Sequence, residues 1–170
     1  MESPLRSWRE ALARHKPREL RGAHWYRAVF RTRRRSILTM EGALLSGGRY
    51  NAAEEFGALY LSETPEGCAA EMARRPAAPQ DYIVGSIRVT LGRICDLTDE
   101  GLLADLGLTS NQLKVNDWTD MQVLGKLVRE AGFEAILVPS AAGDFNNLVI
   151  FMDRLSGKSE VALEDTRPLS

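Results

Sequence analysis

A chain of 170 residues that is 44% hydrophobic and 26% charged can bury a core of its own, and it lacks the composition of a disordered protein. No apolar run approaches the ~18 residues a membrane helix needs, and MESPLRSWRE lacks the apolar stretch of a signal peptide, so a cytoplasmic protein without membrane attachment is expected. The net charge of −1 hides an asymmetry, because residues 1–35 hold 11 Lys/Arg against 3 Asp/Glu while the remainder holds 11 against 20. A basic end suits nucleic acid, an anionic small molecule or an acidic partner, and composition does not choose among them.

In chain order, PLRSWREALAR (4–14) predicts a helix, with Leu5, Trp8, Ala11 and Leu12 at helical spacing. HWYRAVF (24–30) is rich in aromatic and β-branched residues and reads as a strand. RTRRR (31–35) follows as a turn or exposed loop, and SGGRYN (46–51) as a loop whose paired glycines permit unusual backbone angles. ALYLS (58–62) predicts a short buried strand. A helix starts in ETPEGCAAEMARR (63–75), with Thr64 as N-cap and Pro65 at the first helical position, and PAAPQ (76–80) stops it. DYIVGSIRVTL (81–91) and RICDLT (93–98) are two strand candidates, followed by a short helix over 98–108 and a longer one over 119–131. AILVP (135–139) and NLVIFM (147–152) read as strands and EVALEDT (160–166) as an edge strand. The irregular alternation favours an α+β fold over a parallel βαβ array.

Much familiar chemistry is missing. There is no GxGxxG, no GxxxxGK[ST], no HExxH and no GxSxG. Two cysteines cannot build a disulfide framework or a four-ligand zinc site, and no metal is expected. Two histidines, His15 and His24, lie in the basic N-terminal region and read as surface residues. Cys68 sits on an Ala-rich face and reads as a small buried hydrophobe. An enzyme built from this chain must therefore work with Arg, Tyr, Glu, Ser and Asn.

Those types occur at Arg27, Arg49, Tyr60, Glu71, Ser140 and Asn147. Each has an ordinary explanation: Arg27 in a salt bridge, Tyr60 as a core aromatic, Ser140 capping a turn. Glu71 is the most informative, because Cys68, Ala69, Ala70 and Met72 around it are apolar. A carboxylate there is either turned to solvent or held buried for a purpose.

In order and spacing, WYR (25–27), GGRYN (47–51), ALYLSETPEGCAAEM (58–72), NDW (116–118), a helix containing Gly125, AILVPSA (135–141) and NNLVIF (146–151) resemble the RES-domain family. Its members are the toxins of bacterial RES–Xre toxin–antitoxin pairs. The resemblance spans about residues 22–152, which implies an N-terminal helical extension over 1–21 and a RES domain over 22–170. GGRYN departs from the commoner GGRWN by an aromatic swap that leaves the loop intact. The resemblance implies a single compact domain with a fold like that of ADP-ribosyltransferases and diphtheria-toxin-like enzymes. It also implies cleavage of NAD+ between nicotinamide and ribose, by hydrolysis or phosphorolysis, with transfer of ADP-ribose to a cellular protein as the alternative. By resemblance Glu71, Arg27 and Tyr60 are catalytic, while Arg27, Arg49, Tyr60, Ser140 and Asn147 bind NAD+, with Asn146 the competitor of Asn147. The implied partners are an Xre-type antitoxin, phosphate as acceptor and a second toxin copy in a homodimer within the complex.

That chemistry suits these residue types. Nicotinamide leaves a cationic ring as a neutral molecule, so no acid need protonate it and the two-carboxylate arrangement of glycosidases is unnecessary. One ionised carboxylate, Glu71, suffices to stabilise an oxocarbenium-like ribose. Arg27 and Arg49 offer fork-shaped contacts to a pyrophosphate. Tyr60 can stack on the nicotinamide or its ribose, and Ser140 and Asn147 fix hydroxyl or amide groups. The rival class, a nucleic-acid module using RTRRR with Trp25, Tyr26 and Phe30 as stacking surfaces, is weaker, because Trp25 and Tyr26 lie in a strand with at least one ring facing the core.

Overall fold

The structure is a computed structural model that describes residues 4–74 and 81–169. Helix α1 (Pro4–Arg14) leads into β1 (Arg18–Phe30), a 3-10 helix over Arg31–Ser36, and the short α2 (Glu41–Ser46). Then come β2 (Leu59–Ser62), α3 (Pro65–Met72), β3 (Tyr82–Asp96), α4 (Glu100–Leu106), α5 (Thr119–Glu130), β4 (Ala135–Pro139), β5 (Asn146–Ile150) and β6 (Glu160–Pro168). The α+β reading holds: β3 and β4 pair in parallel, and the other ladders are antiparallel.

The strand order is β1-β2-β5-β4-β3-β6, and β1 also pairs with β3, so five strands close a circuit and β6 stands at the edge, as EVALEDT predicted. Side-chain alternation assigns the two faces of the β2-β5-β4 sheet. Leu59, Leu61, Ala135, Leu137, Leu148 and Ile150 point toward β1 and β3, packing with Trp25, Ile87 and Val89. Ile136, Val138, Val149 and Phe151 point the other way, onto Leu12 of α1, Leu102 and Leu106 of α4, and Leu124 and Val128 of α5. Helix α1 is thereby part of this core, and its Trp8 Nε1 donates to the Leu106 carbonyl at 2.9 Å. The boundary expected after residue 21 falls inside β1. Among the described residues no helix is long and apolar enough to cross a membrane.

Local chemistry explains most element ends. Thr64 caps α3 by accepting from the Gly67 N–H at 2.9 Å, with Pro65 at the first helical position. The stop expected from PAAPQ lies outside the described residues. One expectation changes and another sharpens. The strands read as 81–91 and 93–98 are a single strand, β3, and RTRRR, read as a turn or exposed loop, is exposed and forms 3-10 turns kinked at Arg33. The reason for the first is Glu134, 2% exposed, whose Oε1 accepts from the Gly92 and Arg93 N–H groups at 3.0 Å each. Its Oε2 accepts from the Ser156 N–H and the Ser159 hydroxyl. The pair of residues that looks like a break in sequence is thus bonded across the molecule.

Burial alone pushes the Glu134 carboxyl up, but the Ser159, Ser156, Gly92 and Arg93 donors outweigh it and hold it below its ordinary value. A carboxyl depressed in the folded state contributes stability that is present above its unfolded pKa, about 4.3, and lost as pH falls through the folded value. Glu134→Gln should therefore melt well below the wild type at about pH 7, and the gap should narrow toward about pH 3. Thermal unfolding at the two pH values checks this, and an unchanged gap contradicts it.

Candidate active site

Strand β1 touches β2 at one register pair, Tyr26 opposite Ser62. Beyond that pair the two strands part, and a cleft of about 1950 Å³ lies between them, the α3 helix, the GGRYN loop and the start of α5. It is roomy even against typical small-molecule sites, which run to about 1,000 Å³. Its wall carries seven arginines against four carboxylates, a balance that suits an anionic ligand. Arg31, Arg33, Arg34 and Arg35 of the 3-10 helix are all on that wall and all exposed, so the basic run belongs to the rim of the cleft. Trp25, by contrast, is 6% exposed in the core and unavailable for stacking on a base.

Five of the six expected residues line this cleft: Arg27, Arg49, Tyr60, Glu71 and Asn147. Glu71, on the last turn of α3, resolves the choice left by its apolar neighbours: it is half-buried and clamped. Its Oε1 accepts from the Ser140 hydroxyl at 2.7 Å and from the Asn147 side-chain amide at 2.9 Å. Oε2 has no hydrogen bond among the described residues. Asn147 is placed by β5, opposite Ser62 of β2 and Val138 of β4. Its Oδ1 accepts from the Ser62 hydroxyl at 3.3 Å, which fixes the amide so that Nδ2 faces the carboxylate. Asn146 has its backbone N–H donating to Glu63 at 2.8 Å.

Ser140 is the sixth. It is 2% exposed and does not line the cleft, its hydroxyl being engaged between Glu71 and the Ala142 N–H at 2.9 Å.

The arginines are held by backbone carbonyls. Arg27 Nη1 donates to the carbonyls of Ile37 at 2.6 Å and Thr39 at 2.9 Å, which aligns its guanidinium along the cleft wall. Arg49 Nη1 donates to the Val115 carbonyl, and its guanidinium lies 5.7 Å from the centre of the Trp118 ring. The Arg49 contacts are to a carbonyl and a ring rather than to a carboxylate.

The loop carrying Arg49 is fastened by residues that sequence reasoning did not single out. Asn51 is fully buried, its amide donating to the Ala43 and Phe56 carbonyls at 2.8 and 2.9 Å. Its Oδ1 accepts from the Tyr60 hydroxyl at 2.6 Å, and that hydroxyl accepts from the Tyr50 N–H at 3.1 Å. Gly48 is required here, because a Cβ would sit 2.4 Å from the Tyr60 hydroxyl oxygen. Burial pushes the Tyr60 phenol well above its ordinary value, so it stays protonated and serves as the donor to Asn51. What Tyr60 offers the cleft is its ring. Asn51→Ala should leave two carbonyls and the phenol unpaired, costing about 1–3 kcal/mol and lowering Tm by about 3–10 °C. A thermal melt within about 1 °C of wild type would contradict that placement.

Burial also pushes the Cys68 thiol up, to about 11, in keeping with an inert hydrophobe. His24 bonds Glu164 at 2.8 Å on the surface, and His15 accepts from the Asp96 N–H at 3.4 Å. Among the described residues, no three His, Cys, Asp or Glu side chains are grouped to hold a metal ion.

A family model described as RES domain matches residues 18–169. The chain belongs to the RES-domain family. Within it, the chain is 31% identical over 139 residues to the "Probable NAD(+) phosphorylase Rv3189" of Mycobacterium tuberculosis strain H37Rv, a match covering 78% of this chain and 65% of that protein. It is 30% identical over 118 residues to the NAD(+) phosphorylase MbcT of Mycobacterium bovis, covering 64% of this chain and 63% of the relative. The chain thus spans just under two thirds of the length of these relatives. Among solved structures, the crystal structure of the M. tuberculosis MbcT-MbcA toxin-antitoxin complex superposes with a TM-score of 0.84 at 24% identity, over 99% of this chain and 94% of that one. That likeness is one of fold.

Proposed function

We propose that this RES-domain protein is a toxin that depletes NAD+, cleaving the bond between nicotinamide and ribose and transferring ADP-ribose to phosphate. The observation that carries the reading is the single carboxylate of Glu71, fixed by Ser140 and Asn147 on the wall of an arginine-rich cleft. The printed activity of the relatives, NAD(+) phosphorylase, favours phosphate over water as acceptor.

The bond from the ribose C1′ to the pyridinium nitrogen breaks with its electron pair passing to the ring, so nicotinamide leaves neutral. A phosphate oxygen then forms the new bond to C1′. Glu71 faces the positive charge that develops on the ribose between these events, and a preorganised charge is most effective there because it needs no rearrangement. Arg27 and Arg49 hold the pyrophosphate, the Tyr60 ring stacks on the nicotinamide ribose, and Asn147 keeps the carboxylate aimed. Ser140 acts through Glu71. No group other than NAD+ and phosphate is needed for the atoms to balance.

The finer fold reading, an ADP-ribosyltransferase-like domain, belongs to the same proposal and is supported by the glutamate, arginines and tyrosine gathered where two strands part. The partner is an Xre-type antitoxin covering the cleft, with a toxin homodimer inside the complex; the structural neighbour, a toxin–antitoxin complex, supports an antitoxin as partner. The test is to incubate antitoxin-free protein with NAD+, with and without phosphate. Nicotinamide and a phosphorylated ADP-ribose should appear in equal amounts. Absence of nicotinamide refutes the reading, and label from NAD+ retained on protein replaces it with ADP-ribosyl transfer to a macromolecule.

A further inference from the structure

Helix α5 begins at Thr119, and the residue before it, Trp118, is 40% exposed. It lines the cleft, and its ring centre lies 5.7 Å from the Arg49 guanidinium, so an open aromatic surface adjoins the group assigned to the pyrophosphate. Nothing in the reaction chemistry above uses it. We propose that Trp118 is the platform on which the adenine ring of the dinucleotide stacks, so that the cleft reads the end of the substrate opposite to the reacting bond. The inference rests on the NAD+ reading and extends it to the non-reacting end.

The place of Trp118 beside Arg49 carries the assignment. Glu71 bonds Asn147, and Asn147 bonds Ser62. Tyr60 lies two residues back along β2 from Ser62, about 7 Å away at strand spacing. The Tyr60 hydroxyl meets the Tyr50 N–H, next in sequence to Arg49. The Arg49 guanidinium then lies 5.7 Å from the Trp118 ring centre. All four of Glu71, Tyr60, Arg49 and Trp118 line the cleft, and Trp118 is the open ring beside the Arg49 guanidinium. NAD+ runs from nicotinamide through the reacting ribose to the pyrophosphate and, one ribose further, adenine. With the reacting carbon at Glu71 and the phosphates at Arg49, adenine is the planar ring that reaches Trp118.

The platform is itself held. Arg49 donates to the Val115 carbonyl, three residues before Trp118, and the Gln122 amide on α5 donates to the Gly48 carbonyl at 2.9 Å, so the GGRYN loop and the start of α5 move as one piece. Stacking on a fixed indole restricts no additional protein side chain.

The experiment uses ADP as the adenine half and nicotinamide mononucleotide as the other half, with tryptophan emission and calorimetry as readouts. Of the three tryptophans, Trp25 is in the core and the indole of Trp8 is bonded to Leu106, so emission changes on ADP binding report Trp118. ADP should quench the wild type. Trp118→Tyr should lose the quench and keep ADP affinity within about threefold, whereas Trp118→Ala should bind ADP at least about fivefold more weakly, the lower end of what losing a base stack does. Nicotinamide mononucleotide affinity should be the same in all three. Unchanged ADP affinity in Trp118→Ala, equal weakening for both half-ligands, or no ADP binding by the wild type overturns the inference. If nicotinamide release from NAD+ persists alongside such a result, the adenine platform alone is rejected. If release is absent too, the NAD+ reading falls with it.

Discussion

Glu71→Gln should release nicotinamide from NAD+ about 10²–10³ times more slowly than the wild type while melting at nearly the same temperature. The substitution is chosen for what it keeps. A glutamine Oε1 can still accept from the Ser140 hydroxyl and the Asn147 amide, the two donors that hold the native carboxylate at 2.7 and 2.9 Å. What is lost is the negative charge, and with it the stabilisation of a cationic ribose. The effect should therefore appear in kcat, because ground-state contacts to the pyrophosphate and adenine are untouched. Steady-state kinetics and equilibrium NAD+ binding separate the two. Wild-type kcat in Glu71→Gln would remove the carboxylate from the chemistry.

The largest expected effect on stability lies far from any charge. A Cβ at Gly125, in the middle of α5, would stand 1.9 Å from the Tyr50 carbonyl oxygen and 2.8 Å from its carbonyl carbon. Both are backbone atoms, so no side-chain rotation relieves the clash, and either α5 or the GGRYN loop must shift. Gly125→Ala should cost about 3 kcal/mol, the upper end of ordinary overpacking, and lower Tm by about 6–12 °C for a chain of this size. The shift also drags Arg49, so activity of the surviving folded protein should fall with KM rising more than kcat drops. Differential scanning calorimetry with a parallel kinetic assay checks both parts. A melt within about 1 °C of the wild type would show that the loop and helix are not in contact.

Local elements were largely readable because their signals are local. Thr64 and Pro65 mark the start of α3 by hydrogen-bonding capacity and ring geometry alone, and the apolar spacing of Leu5, Trp8, Ala11 and Leu12 marks α1. β3 was split in two because the partner of Gly92 and Arg93 is Glu134, 42 and 41 residues away. The one visible hint was a carboxylate directly before the apolar run AILVP. The candidate site residues came from the ordered resemblance, and their convergence could not be read from spacing. Ser140 and Asn147 are 69 and 76 residues from Glu71, and strand register brings them together. Register likewise turns Asn147 rather than Asn146 toward Glu71, since adjacent strand residues face opposite sides. Asn51 and Ser62 escaped notice because a buried polar side chain looks like any loop or strand residue until its partners are known. The charge asymmetry was legible, and its meaning became specific once RTRRR was seen on the rim of the cleft that contains Arg27.

The measurement that bears most directly on the central claim, that Ser140 and Asn147 work only through Glu71, is a mutant cycle on nicotinamide release. Rates are compared for Glu71→Gln, Ser140→Ala, Asn147→Ala and the triple variant, each shown to be folded. Residues that act as a unit are strongly non-additive. The triple variant should be no slower than Glu71→Gln alone, and each single positioning variant should fall between it and the wild type. Multiplicative losses across the cycle, or full activity in Glu71→Gln, would contradict the account.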